Sequence, residues 1–314
     1  MSDMAQPRRA SLAETALAAD VLPGSRLYTS VRVVERTGST NADLLAAARS
    51  GAPSGAVLAA EEQTAGRGRL DRSWQSAPGA SLTFSVLLRP AGVPASARSW
   101  LPLLAGVATV AALREQTGLQ VSLKWPNDVL AGPADANGKL AGAAGSAAPA
   151  DSAGPAGSAG PAGSAAPAGS AGPRPGGKLA GILAEQVGDA VVVGIGLNVS
   201  STESELPGPM ATSLLLAGAA DPDRQAILVA ALRELEQWYL RWTGAPDPGD
   251  ADACGLRAAY LSSCATIGRD VRVELPGGKV ATGRASDVDS AGRLLLTAAD
   301  GPHTISAGDV VHVR

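Results

Sequence analysis

Glu61-Glu62-Gln63-Thr64-Ala65-Gly66-Arg67-Gly68-Arg69-Leu70-Asp71-Arg72-Ser73-Trp74 carries two glycines, three arginines and a tryptophan in one short stretch. An apolar run at residues 57–60 feeds into it and reads as a strand. Gly66 and Gly68 let the backbone take conformations closed to other residues and come close to a ligand. The arginines offer planar forks of donors that match carboxylate or phosphate oxygens. Trp74 adds a flat face for a base. The stretch reads as a strand-to-loop passage built to hold an anion, although a solvated surface turn would carry the same residues.

Two familiar loops are excluded. Gly66-x-Gly68-x-x-Asp71 is not a dinucleotide fingerprint, because an acid stands at the third glycine position, where it would repel a pyrophosphate. Residues 172–179, GPRPGGKL, miss a phosphate-binding P-loop by one residue, with leucine in place of the magnesium-binding hydroxyl.

The chain has 314 residues, 45% of them hydrophobic, and a net charge of −3. This suits one large domain and one small one with ample core. Mild acidity argues against general nucleic-acid binding, so any anion site is local. No apolar run approaches 18 residues and residues 1–20 hold no apolar signal core, so the expectation is a soluble cytoplasmic protein without a membrane span. The only histidines are His303 and His312, and the only cysteines Cys254 and Cys264, all far from the arginine-rich stretch in sequence. A histidine triad, a zinc site and a cysteine nucleophile are therefore not expected, and no metal ligands are assigned. Chemistry at residues 61–74 must rest on positioning and positive charge.

Outward from that stretch, residues 1–26 read as a frayed tail. A strand at 31–35 precedes Thr37-Gly38-Ser39-Thr40-Asn41 and a helix at 42–49. Ser39, Thr40 or Asn41 could simply cap the helix, but helix N-termini also gather unpaired donors. Strands are expected at 81–88, 121–124, 182–185 and 191–199, and helices at 101–115 and 222–242. Lys124-Trp125-Pro126-Asn127-Asp128 follows the second of these strands and holds a carboxylate in a turn. Residues 131–177 are almost wholly Ala, Gly, Ser and Pro and read as a flexible insert. Gly138-Lys139-Leu140-Ala141-Gly142 recurs as Gly177-Lys178-Leu179-Ala180-Gly181, and only the second copy enters an apolar strand, which marks Lys178 as the working lysine. From 265 onward, short β-rich runs between Gly and Asp turns read as a small barrel.

Ser39-Thr40-Asn41, Gln63-x-x-Gly66-Arg67-Gly68-Arg69, Lys124-Trp125-Pro126-Asn127-Asp128, Gly177-Lys178-Leu179-Ala180-Gly181 and Gly194-x-Gly196-x-Asn198 occur in that order. The set closely resembles the biotin–protein ligases over roughly residues 30–314. The resemblance implies an α+β fold. Its catalytic domain, residues 27–264, is a mixed sheet with helices like that of class II aminoacyl-tRNA synthetases, and an SH3-like barrel follows at 265–314. It implies biotin and ATP as substrates, Mg2+ with the ATP, and the biotin carboxyl carrier domain of an acetyl-CoA or related carboxylase as acceptor partner. Ser39, Thr40, Asn41 and Gln63 would hold biotin's ureido ring. Arg67 and Lys178, with Gly66, Gly68 and Gly181 around them, would bring carboxylate and α-phosphate together. Arg69 and Arg72 would close over the adenylate, Trp74 and Asn198 would serve the adenine, and Asp128 would accept the attacking lysine's proton. Two departures stand out: Asp71 replaces a glycine common in the family's loop, and the insert splits two motifs usually close together. Too little chain precedes the first strand for a DNA-binding domain, as in the ligase-only class. The alternatives are a lipoate–protein ligase and a non-catalytic binding module on the same fold.

Overall fold

The computed structural model describes residues 9–69, 72–132 and 176–313. In chain order they form α1 (Glu14–Val21), β1 (Ser30–Thr37), α2 (Thr40–Arg49), β2 (Ala56–Gln63), the two-residue strands β3 (Gly66–Arg67) and β4 (Ser73–Trp74), and β5 (Ser81–Leu88). Then come α3 (Trp100–Thr117), β6 (Val121–Lys124), β7 (Asp128–Ala131), β8 (Lys178–Val187), β9 (Ala190–Asn198), α4 (Arg224–Thr243) and α5 (Leu256–Ser263). The last strands are β10 (Asp270–Glu274), β11 (Val280–Val288), β12 (Leu294–Ala298), β13 (Gly301–Ile305) and β14 (Asp309–His312).

Seven strands make one mixed sheet in the order β1-β2-β5-β9-β8-β7-β6. β1 and β2 run parallel, joined through α2, and every other neighbouring pair is antiparallel. Alternation divides the central strands between two faces. Leu82, Phe84, Val86 and Leu88 of β5, with Val191, Val193, Ile195 and Leu197 of β9, enter the main core beneath α3 and α4. The stretch Ala95–Thr117 is long and apolar enough to span a membrane by composition alone, contrary to expectation, but it packs as a core helix with 67% of its apolar window buried. On the opposite face α2 covers one end only, laying Leu44, Leu45 and Ala48 on Leu58, Leu87, Ala190 and Val192. The other end of that face is left to the site.

One reading changes. The tail expected to be frayed is packed from residue 9 onward. Leu17 and Val21 of α1 are buried, and Glu14 accepts a hydrogen bond from the β1 amide of Val33 at 2.7 Å. The C-terminal unit is a five-stranded antiparallel sheet ordered β13-β12-β11-β10-β14, of the SH3-like type. It docks through two buried tryptophans. The Trp100 indole donates to the Ser290 carbonyl at 2.7 Å and the Trp125 indole to the Gly292 carbonyl at 3.0 Å. Of the insert expected at 131–177, the ends at Ala131 and Gly177 join the β7–β8 pairing, while residues 133–175, with Lys139, lie outside the described residues, as does Asp71.

Candidate active site

The open end of the sheet is floored by small residues. β5 presents Ser81, Thr83 and Ser85, all buried, and β9 presents Gly194, Gly196 and Asn198 beside them. The glycines are required by what lies on top. A Cβ on Gly194 would stand 2.1 Å from the Asn41 Oδ1, and one on Gly196 would stand 2.5 Å from the Trp74 ring. Trp74 thus lies flat on β9, and its indole N–H is buried without a hydrogen-bond partner.

The start of α2 makes one wall. The Ser39 hydroxyl caps the helix, accepting from the Ala42 amide at 3.5 Å, which is the modest role a cap predicts. Thr40 donates from its amide and its hydroxyl to Gln63 Oε1 at 2.8 and 3.1 Å. Its hydroxyl also meets the Ser85 hydroxyl at 2.7 Å, which in turn donates to Asn41 Oδ1 at 2.6 Å. The Asn41 amide nitrogen donates to Glu185 Oε2 at 2.9 Å. These polar groups partner one another in a buried to half-buried setting, where such bonds are strong and define geometry.

The cations line the mouth. β3 and β4 pair as a short hairpin, Gly66 against Trp74 and Arg67 against Ser73. A Gly66 Cβ would lie 2.4 Å from the Trp74 carbonyl oxygen, so the hairpin closes only over a glycine. Arg67 is paired with Glu185 at 3.4 Å, Arg72 with Asp309 at 2.5 Å, and Lys178 with Asp128 at 2.6 Å. Arg69 donates to Asn127 Oδ1 at 3.1 Å. Burial lowers the Arg69 pKa from the ordinary guanidinium value, against the raising influence of Asp128 and Asp309. The hydrogen bond that Arg72 donates to the Asp309 carboxylate raises the Arg72 pKa. Gly181 leaves room on β8, since a Cβ there would meet the Lys178 Nζ at 3.2 Å and the Trp74 ring at 3.4 Å.

A pocket of about 170 Å³ runs between these walls. Ser39, Thr40, Asn41, Gln63, Arg67, Gly68, Arg69, Arg72, Trp74, Asp128, Lys178, Gly181 and Asn198 all line it. The structure therefore brings together the residues singled out from the sequence, with Gly66 set behind Trp74. Asn198 also acts as an anchor: its amide donates to the Thr212 carbonyl at 3.0 Å and ties the end of β9 to the segment from 201 to 216. Pro207 and Ala211 of that segment also reach the pocket.

Sequence reasoning missed Ser85, Asn127, Glu185 and the barrel residues Gly308 and Asp309. Ser85 and Glu185 could have been found from strand alternation, since they share a face with Thr83 and Gly181. Asp309 carries no such signal, because its approach to Arg72 depends on how the barrel docks. Among the described residues there is no group of three or more His, Cys, Asp or Glu suited to a metal ion.

A glycine-floored pocket rimmed by arginines and a lysine, on a mixed sheet followed by an SH3-like unit, defines the class of ligases that activate a small carboxylic acid. Residues 33–150 match the biotin/lipoate A/B protein ligase family, and residues 266–313 match the biotin protein ligase C-terminal domain. The biotin–[acetyl-CoA-carboxylase] ligase of Mycobacterium tuberculosis is 41% identical over 310 residues, covering 98% of this chain and 97% of its own. The bifunctional ligase/repressor BirA of Bacillus subtilis is 29% identical, covering 84% of this chain and 68% of its own. In fold, the biotin protein ligase from Aquifex aeolicus, solved in complex with biotin and ATP, superposes with a TM-score of 0.66 at 24% identity, covering 91% of this chain and all of that one. The chain belongs to the biotin protein ligase family.

Proposed function

We propose that this enzyme activates biotin with ATP and transfers it to a lysine of a carboxylase's biotin carboxyl carrier domain. The observation that carries the reading is the convergence of Arg67, Arg69, Arg72 and Lys178 on one small pocket, each held there by a carboxylate or an amide oxygen. An oxygen of the biotin carboxylate attacks the α-phosphorus of MgATP, the bond to the β-phosphate breaks, and pyrophosphate leaves. Two anions must meet in this step, and arginine and lysine at the mouth reduce their repulsion. The acceptor's amine then attacks the acyl carbon, the acyl–phosphate bond breaks, and AMP leaves.

Arg67 and Lys178 are assigned to the carboxylate and α-phosphate, with Arg69 and Arg72 closing over the adenylate. Ser39, Thr40, Asn41 and Gln63 are assigned to the ureido end, and Trp74 and Asn198 to the adenine side. Asp128 can hold Lys178 before the ligand arrives. Once Lys178 turns to phosphate, Asp128 is the candidate acceptor for the incoming amine's proton. A cytoplasmic setting is proposed on the need for ATP and a carboxylase acceptor.

The test is ATP–pyrophosphate exchange with biotin and with lipoate, run side by side. Exchange with biotin alone is the expected result. Exchange with lipoate alone, or with neither, overturns the reading.

A further inference from the structure

Glu185 stands on β8, two positions beyond Leu183 and four beyond Gly181, so it shares their face toward the site. Its two oxygens serve different partners. Oε2 accepts from the Asn41 amide nitrogen at 2.9 Å, and Oε1 pairs with Arg67 at 3.4 Å. The contacts are unequal. Asn41 is 4% exposed, and a bond from a buried amide to a carboxylate is among the stronger kinds. The Arg67 side chain is 54% exposed, so its pair with Glu185 adds little stability and yields readily to a stronger anion.

The Asn41 carboxamide has two possible orientations, and its surroundings choose one. Its oxygen accepts from the Ser85 hydroxyl at 2.6 Å, and its nitrogen faces both Glu185 and the Leu183 carbonyl, the latter at 3.3 Å. Turned over, the amide would set its oxygen against a carboxylate and a carbonyl, three acceptors with no hydrogen between them. Ser85 can donate or accept and would tolerate either orientation. Glu185, as an acceptor for the Asn41 amide nitrogen, is what decides between them.

We propose that Glu185 is a positioning residue for the ligase reaction. Its carboxylate sets the Asn41 carboxamide for the ureido end of biotin and tethers Arg67 beside the pocket until a ligand anion takes it. This rests on the ligase reading above. It assigns Glu185 to the substrate-binding step, through Asn41, and leaves the chemical step nearly untouched.

Calorimetric biotin binding and steady-state pyrophosphate exchange, on the full chain, test it with Glu185→Ala, Glu185→Gln, Asn41→Ala and the double variant Asn41→Ala/Glu185→Ala. Glu185→Ala is expected to weaken biotin binding about tenfold, the loss of one hydrogen bond to a charged group. The exchange rate at saturating biotin should stay within about threefold. Glu185→Gln keeps an acceptor of the same size and should bind biotin within about twofold of the wild type. In the Asn41→Ala background, Glu185→Ala should cost little further, because only its exposed pair with Arg67 remains to be lost. Unchanged binding in Glu185→Ala, equal damage from Ala and Gln, or full additivity with Asn41→Ala would each overturn the proposal. Loss of biotin binding by the wild-type chain would instead overturn the ligase reading itself, and this inference with it.

Discussion

Lys178 and Asp128 are 2.6 Å apart, and Lys124 approaches the same carboxylate at 3.9 Å. Of the two lysines, Lys178 lines the pocket. Removing it should slow adenylate formation by at least one to two decades, since a contact to a charged group contributes about 1.5–3 kcal/mol. Single-turnover pyrophosphate release from Lys178→Ala, with biotin saturating, measures this; a rate within threefold of wild type would remove Lys178 from the chemistry. Gly194 makes a sharper prediction. Its missing Cβ is where Asn41 Oδ1 lies, and Asn41 is bonded on both sides and cannot move aside. Gly194→Ala should therefore raise the biotin dissociation constant more than tenfold, with a stability loss of about 1–3 kcal/mol. Calorimetry and urea unfolding read the two effects separately. The residues at the mouth were legible because glycine and arginine have so few other reasons to alternate. Glu185 and Ser85 were not singled out: strand alternation sets them on the site's face, but an ordinary polar residue there gains a role only once its neighbours are known.

The β3–β4 hairpin is two residues on each side, and one further backbone bond, Gly68 to Arg72 at 2.6 Å, extends it. A ladder this short is marginal without support. Its support is Trp74 on Gly196 and the ion pairs of Arg67 and Arg72, and both lie where ligand would enter. Hydrogen exchange of residues 63–74 should slow by about tenfold or more when a non-hydrolysable biotinyl-adenylate analogue binds, because the analogue replaces exposed pairs with enclosed ones. Equal exchange with and without the analogue would mean a preformed hairpin and no closing step. Among the larger elements, periodicity placed α2, α3 and α4 and the strands β1, β2, β5, β6, β8 and β9. It missed α1, whose Ala-rich ETALAADV shows no clear stripe: only Leu17 and Val21 are buried, and α4 and β1 complete the packing. It missed β13 because Pro302 interrupts the pattern, yet an edge strand accepts a proline where no ladder bond is needed.

Docking of the barrel onto the sheet was not legible, because it depends on contacts across long separations. Thr266 bonds the Trp125 amide at 3.1 Å, and His312 sits against Thr266 at 3.2 Å and Arg269 at 3.3 Å. Burial, reinforced by the positive charges of Arg269 and Lys124, brings the His312 pKa down to about 4. The folded state thus prefers neutral imidazole, while the unfolded chain protonates near 6.5. The contribution is complete above about pH 6.5 and is lost as pH falls toward 4. At pH 4 the lost stability should amount to about 1–3 kcal/mol, allowing for partial solvent access. Urea midpoints at pH 7 and pH 4.5 for the wild type and His312→Asn test this. A pH dependence of equal size in both would assign the effect to other groups.

Ala131 and Gly177 meet in the β7–β8 hairpin, where the Ala131 amide donates to the Gly177 carbonyl at 2.9 Å and the Gly176 amide to the Ala131 carbonyl at 2.7 Å. The chain leaves the sheet and re-enters it at the same point, so a short turn could join the two strands in place of residues 133–175. Replacing them with a four-residue turn should leave melting temperature and pyrophosphate exchange unchanged. Loss of either would give the segment a structural duty. The same geometry makes this position a seam. Cutting the chain there would yield two pieces, one carrying the arginine hairpin and the other Lys178 and the barrel. Strand pairing along β5–β9 and β7–β8 would hold them together, so ligase activity would become a report on whether two separately made halves have met.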